Sequence, residues 1–144
     1  MAADLTDLFQ ALYKRYAKFR GPTDAYTLTD GRFHRTLAPA GQTFPYIVVT
    51  QIGGAILEMF SGDALEDASF QTSVFAEFRN DASAASAIIQ SLIGIFNWST
   101  LHIPAHETFI RMRREGLQRE VVEDQDIIHI SQDWFVEREI QAWT

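Results

Sequence analysis

Phe44-Pro45-Tyr46-Ile47-Val48-Val49 is the stretch on which the fold turns. An aromatic and three β-branched residues follow a proline. Proline holds its own φ and pushes Phe44 extended, which suits the first residue of a strand. Ile47, Val48 and Val49 are consecutive rather than alternating, so Tyr46 to Gln51 predicts a strand buried on both faces. Such a strand belongs in the middle of a sheet.

Working backwards from it, Asp4 is placed to cap a helix whose stripe is Leu5, Leu8, Phe9, Leu12, Tyr13 and Tyr16. Lys14, Arg15 and Lys18 fall in its last turns, and Gly21-Pro22 ends it. Thr23 to Asp30 is expected to be a loop. Asp30-Gly31 signals a turn, and Arg32 to Leu37 is either a short strand or an extended segment. Ala38 to Gln42 is a second loop.

Working forwards, Gly53-Gly54 closes the strand. Residues 55–68 read as a long hairpin arm or loop holding Ile56, Leu57, Met59 and Phe60. Ser69 to Arg79 alternates with period two: Phe70, Thr72, Val74, Ala76 and Phe78 share one face. Asp81 or Ser83 is expected to cap a second helix with the stripe Ala85, Ile88, Ile89, Leu92, Ile93 and Phe96. Asn97 to Ala105 is expected to be a connector. Glu107 to Arg114 predicts a strand turned by Glu115-Gly116, followed by a further short strand, Leu117 to Val122. Glu123-Asp124-Gln125-Asp126 is an acidic turn. Ile127 to Glu137 is the last strand, with Ile128, Ile130, Trp134 and Val136 facing the core. The expected class is α+β in one domain, 1–144: a mainly antiparallel sheet with two helices on one face.

Composition narrows the function. The 144 residues carry a net charge of −7, and 47% are hydrophobic. The absence of cysteine excludes disulfides and thiolate metal sites, and fits a cytoplasmic product. No signal peptide is expected, because Met1-Ala2-Ala3-Asp4 carries no basic n-region or apolar run. Lys14, Arg15, Lys18, Arg20 and Arg111, Arg113, Arg114 are small basic clusters with acidic neighbours in sequence, and read as solvated faces.

His102-Ile103-Pro104-Ala105-His106-Glu107 comes nearest to a metal motif. The H-E-x-x-H chemistry needs both histidines on one helix face with the glutamate between them. Pro104 breaks a helix, and Glu107 lies outside the pair. His34 and His129 are isolated and read as surface or packed residues. Glu66-Asp67 and Glu123-Asp124-Asp126 read as solvated carboxylates, because a catalytic pair needs burial to separate its pKa values. No nucleophile elbow or phosphate-cradling loop is present. No catalytic, cofactor or metal residue is assigned, and the reading is non-enzymatic. Trp98 and Trp134 read as packing residues. Trp143, next to the C-terminus, docks on its own domain or on a neighbour.

The succession of motifs carries more than any one of them. An early helix with Leu12-Tyr13 is followed by Asp30-Gly31-Arg32-Phe33. Ala38-Pro39-Ala40-Gly41 then leads to Phe44-Pro45-Tyr46-Ile47-Val48. Phe70 to Phe78 precedes Ala82 to Phe96, and Ala105-His106 precedes Phe109-Ile110-Arg111. This succession resembles the tail-completion, or tail-terminator, family of long-tailed bacteriophages and their prophage or gene-transfer relatives. Ala105 stands where that family has glycine, and residues 138–144 have no counterpart.

The resemblance implies a virion protein at the head–tail junction, made in the host cytoplasm. It implies a homohexameric ring that caps the tail tube, stops its polymerisation and presents a surface for the head. The implied partners are the ring's own subunits, the tail tube protein and a head-completion or connector protein, with DNA only in passage. No cofactor is implied. The acidic charge agrees with a channel that does not hold DNA. A head-closure or neck protein is the nearest alternative, and an unrecognised hydrolase the alternative from another class. Ile56, Leu57, Met59, Phe60 and Trp143 are the expected subunit or tube contacts, because an exposed apolar arm is costly on a lone subunit.

Overall fold

The structure, a computed structural model, describes residues 5–54, 68–103, 108–123 and 126–138. Tyr46–Gly54 is the strand β2 and is paired on both sides. Ile47, Val48 and Val49 are all buried, as three consecutive β-branched and apolar residues predict. The strand lies one position in from the sheet edge rather than at the centre.

The chain runs α1 (Leu5–Lys18), α2 (Ala25–Thr29), β1 (Phe33–Arg35), β2, β3 (Ala68–Glu77), α3 (Phe78–Phe96), β4 (Ser99–Ile103), β5 (Thr108–Glu123) and β6 (Ile127–Arg138). The six strands form one sheet in the order β1-β2-β3-β6-β5-β4. The class is α+β. The sheet is mixed, however, because β1 runs parallel to β2 with Phe33 opposite Ile47. A parallel neighbour needs a crossover connection. Residues 36–45 supply it by passing over the sheet face opposite the described helices, against Tyr46, Phe75 and His129.

Alternation sorts the side chains of β3 and β6 as expected. Phe70, Val74 and Ala76 join Ile128, Ile130, Trp134 and Val136 on the helix side. Ala85, Ile88, Ile89, Leu92 and Phe96 of α3 close over them, and Phe96 meets the Trp134 ring edge-on at 5.9 Å. Fully burying each large side chain is worth roughly 1.5–3 kcal/mol. Thr72 shares this face because Trp134 Nε1 donates to its hydroxyl at 2.9 Å.

The sheet curls, and α1 spans its open side. The helix contacts β4 at one edge. At the other edge Phe9, Tyr13 and Tyr16 surround Phe33 of β1, with Tyr16 stacked on it at 4.4 Å. Arg15 Nε donates to the Ile95 carbonyl at 2.7 Å, tying α1 to the C-terminal end of α3. Leu12 and Tyr16 of the expected stripe are buried; the side chains of Leu5 and Leu8 lie outside the described residues.

Four expectations are corrected. The loop expected at 23–30 contains α2. Its Ala25 and Thr29 are buried, Ala25 N–H donates to Ser91 Oγ of α3, and Thr29 bonds the Tyr16 hydroxyl. The connector at 97–105 contains β4, antiparallel to β5. The third helix begins at Phe78, before Asp81 or Ser83, with Glu77 as its N-cap.

Finally, Glu115-Gly116 does not turn the chain. The segments 107–114 and 117–122 form one strand with a bulge, because pairing with β6 slips between Glu115 and Arg119. Gly116 adopts φ 77°, a conformation that favours glycine. Buried Gln132 locks the bulge. Its Nε2 donates to the Gly116 carbonyl at 3.1 Å, and its Oε1 accepts from Arg114 Nε at 3.0 Å.

Candidate interaction surfaces

Among the described residues, the titratable side chains do not assemble into a reaction centre. His34 sits on β1 and His129 on β6, with β2 and β3 between them. No group of three His, Asp or Glu side chains able to hold a metal occurs among the described residues. His102 lies in β4, but its side chain lies outside the described residues, as do His106 and Glu107. The strongly perturbed phenol is Tyr16. Burial pushes its pKa well above the usual tyrosine range, against the opposing pull of the Thr29 hydrogen bond. This phenol braces α1 against α2.

The sheet face opposite the described helices carries a row of aromatic side chains. Its side chains are the other set of each alternating strand. Phe44, Tyr46, Phe75 and His129 run across β2, β3 and β6 as an aromatic row. Tyr46 stacks on Phe75 at 5.2 Å, and Phe75 on His129 at 4.3 Å. The register puts Tyr46 opposite Phe75, Phe75 opposite His129, and His129 opposite Val121. His34 meets Tyr46 edge-on at 6.4 Å, so both isolated histidines are packed against aromatic rings. Between this row and the crossing segment 36–44 lies a cleft of about 470 Å³ with a mixed apolar and amide lining. Leu37, at its rim, is 81% exposed.

A second surface is the outer half of β5. β4 pairs with Thr108–Met112, and among the described residues β5 beyond the bulge is paired on one side, with β6. Leu117 is 80% exposed, and Val121 and Val122 are each about half exposed. Edge strands are usually short or guarded by lysine or proline. This one has neither residue. Arg119 is held against Asp133 by two bonds of 2.9 and 3.1 Å, which raises the guanidinium pKa.

Trp98 corrects the expectation that it packs. It is 65% exposed and has φ 61°, a conformation bulky residues rarely adopt. The preceding Asn97 accepts the Arg114 backbone N–H at 3.0 Å, which ties the α3–β4 corner to β5. The sequence signal for it was weak: an aromatic between Asn97 and Ser99 reads equally as core or corner.

The third surface is the solvent side of α1. Gln10, Lys14 and Lys18 recur every four residues and are exposed, as is Arg20. Lys18 and Arg15 lie over the Phe19 ring, and Arg20 lies over Tyr26 at 4.2 Å. The expected contact residues Ile56, Leu57, Met59, Phe60 and Trp143 lie outside the described residues.

No protein family and no curated protein matches the chain by sequence. Solved structures share its fold. One is a chain of a structure described as the virion of a native gene transfer agent particle. Its TM-score is 0.69 at 15% identity, covering 92% of this chain and 95% of that one. A second solved chain superposes with a TM-score of 0.63 at 14% identity, covering 97% of this chain and 99% of its own length.

Proposed function

We propose that this protein is a structural component of a phage-like or gene-transfer particle, acting as its tail terminator. The observation that carries this reading is the near end-to-end fold match to a chain of a gene transfer agent virion. The motif succession from Leu12-Tyr13 to Phe109-Ile110-Arg111 points the same way. In this reading the protein is not an enzyme. Six copies close into a ring on the finished tail tube, stop its growth and offer their upper face to the head-completion protein. An acidic subunit of charge −7 suits a channel through which DNA slides without being held.

Ile56, Leu57, Met59, Phe60 and Trp143 are proposed to contribute to the contact with a neighbouring subunit or the tube. The test is electron microscopy of the purified protein, alone and with polymerising tube protein. Closed rings, and tubes that stop growing when the protein is added, are expected. Rings that bind only a head connector and leave tube growth unchanged would favour the head-closure reading. A protein that neither forms rings nor limits tubes sinks both.

A further inference from the structure

Trp98 stands at the corner between α3 and β4, where the fold itself has little use for an indole. Its backbone is left-handed, with φ 61°, and the residue is 65% exposed. That conformation is unfavourable for a bulky side chain and natural for glycine. Burial does not offset the strain, since most of the residue faces solvent. The corner holds because its neighbours fix it. Asn97 N–H donates to the Ile93 carbonyl at 3.0 Å, and Asn97 Oδ1 accepts from Arg114 N–H at 3.0 Å. Ser99 Oγ donates to the Phe96 carbonyl at 2.6 Å. The chain is thus pinned on both sides of Trp98, and the indole is held out on a rigid mount. Strained backbone that the surroundings over-determine in this way clusters at functional sites.

Cations border the corner from two elements. Arg15 Nε, on the Ile95 carbonyl three residues before Trp98, brings the last turns of α1 there, with Lys14 and Lys18 exposed. β5 runs alongside, with Met112 opposite Ser99 and Arg111 opposite Thr100, so Arg113 comes next to Trp98. The carboxylates that follow these cations in the chain turn elsewhere. Asp24 accepts the Gly21 N–H at 2.8 Å, and Glu115 accepts from Ser69 Oγ at 3.0 Å. The corner's own stretch, residues 82–103, contains no Asp, Glu, Lys or Arg. An exposed tryptophan beside arginine and lysine has the composition of a protein-binding hot spot, and the cations select an acidic partner. Nucleic acid is favoured less. It calls for a continuous basic track and a succession of stacking rings, and this chain has a net charge of −7. We propose that Trp98 anchors a docking site for an acidic segment of a different protein, one that carries Leu or Pro between carboxylates. The indole packs on the apolar side chain, and Lys14, Lys18 and Arg113 meet the carboxylates. The site does not depend on the ring reading.

The probe is a set of short labelled peptides with a central Leu or Pro flanked by Asp and Glu. Control peptides have Gly at the centre or Lys at the flanks. Binding is read by fluorescence anisotropy, and stability by urea denaturation. The acidic Leu and Pro peptides should bind, and more weakly as salt rises. Trp98→Gly should weaken binding at least about tenfold. Its urea midpoint should equal or exceed that of the wild type, because glycine relieves the left-handed corner. Trp98→Asn also tolerates that backbone and should lose binding equally, which separates the indole from the rigidity of the corner. K14E/K18E, with native circular dichroism, should bind the same peptides more weakly. A urea midpoint that falls in both Trp98 variants makes the residue a packing element and overturns the proposal. So does an absence of binding, binding unchanged in Trp98→Gly, or Gly-centred peptides that bind equally well. Wild-type self-association lost in Trp98→Gly, without peptide binding, assigns the corner to a contact between copies and overturns it. A single-stranded DNA oligonucleotide bound more tightly than the peptides, and lost in Trp98→Gly, assigns it to nucleic acid and also overturns it.

Discussion

The two faces of the sheet are made by the same strands and behave differently. On the helix side, Ile47, Val74, Ala76, Trp134 and Val136 are sealed under α3. On the other side, Tyr46, Phe75 and His129 stack in a row that stays partly open beneath the 36–44 segment. One face is closed by the chain's own helices, and its residues are spent on stability. Among the described residues the other is crossed by the 36–44 segment, which leaves a cleft beside the aromatic row. Period-two alternation makes this possible, since each strand contributes independently to both faces.

The largest effect should come from the sealed face. Trp134→Ala removes a fully buried indole and one of the Thr72 hydroxyl's two hydrogen bonds, and should cost about 3–5 kcal/mol in urea denaturation. A small loss there would break the distinction between the faces. Phe75→Ala on the open face should cost about 1–2 kcal/mol, because the ring is only half buried and loses two stacking partners.

Tyr16→Phe should cost about 1 kcal/mol by removing the bond to Thr29. It also carries a pH signature. The native phenol ionises above its ordinary value of 10.0, so the folded state holds its proton where the unfolded chain has lost it. Stability is unaffected by this group below that value and falls as pH rises through it towards the native pKa. The phenylalanine variant should flatten that alkaline limb in a series of thermal melts. The smallest effect should be Val122→Ser on the β5 edge, within about 0.5 kcal/mol of wild type. A clear loss of assembly without loss of stability would mark that edge as a contact rather than core.

Much of the sealed face was legible in the chain. Ile88, Leu92 and Phe96 recur at helical spacing, Ile128, Ile130 and Trp134 at strand spacing, and both sets are core. The 97–105 segment was not legible, because Leu101 and Ile103 straddle His102 in a run too short to separate a strand from a connector. The bulge at Gly116 was read as a turn because glycine serves both. What separates the two is Gln132, far along the chain, whose amide holds the Gly116 carbonyl. Trp98 reads as a packing residue in the sequence because its exposure depends on a left-handed corner that no local pattern announces.

The chain by itself determined which residues turn inward, since hydrophobic period reports the face of a helix or strand. It determined the two long helices seen among the described residues and the buried character of Ile47 to Val49. Only the tertiary structure decided which strand lies beside which: the parallel β1, the edge position of β4 and the half-covered β5. The reason is physical. Periodicity is a property of consecutive residues, whereas the choice of neighbour is a balance of long-range pairings and loop closures that no single window of sequence contains.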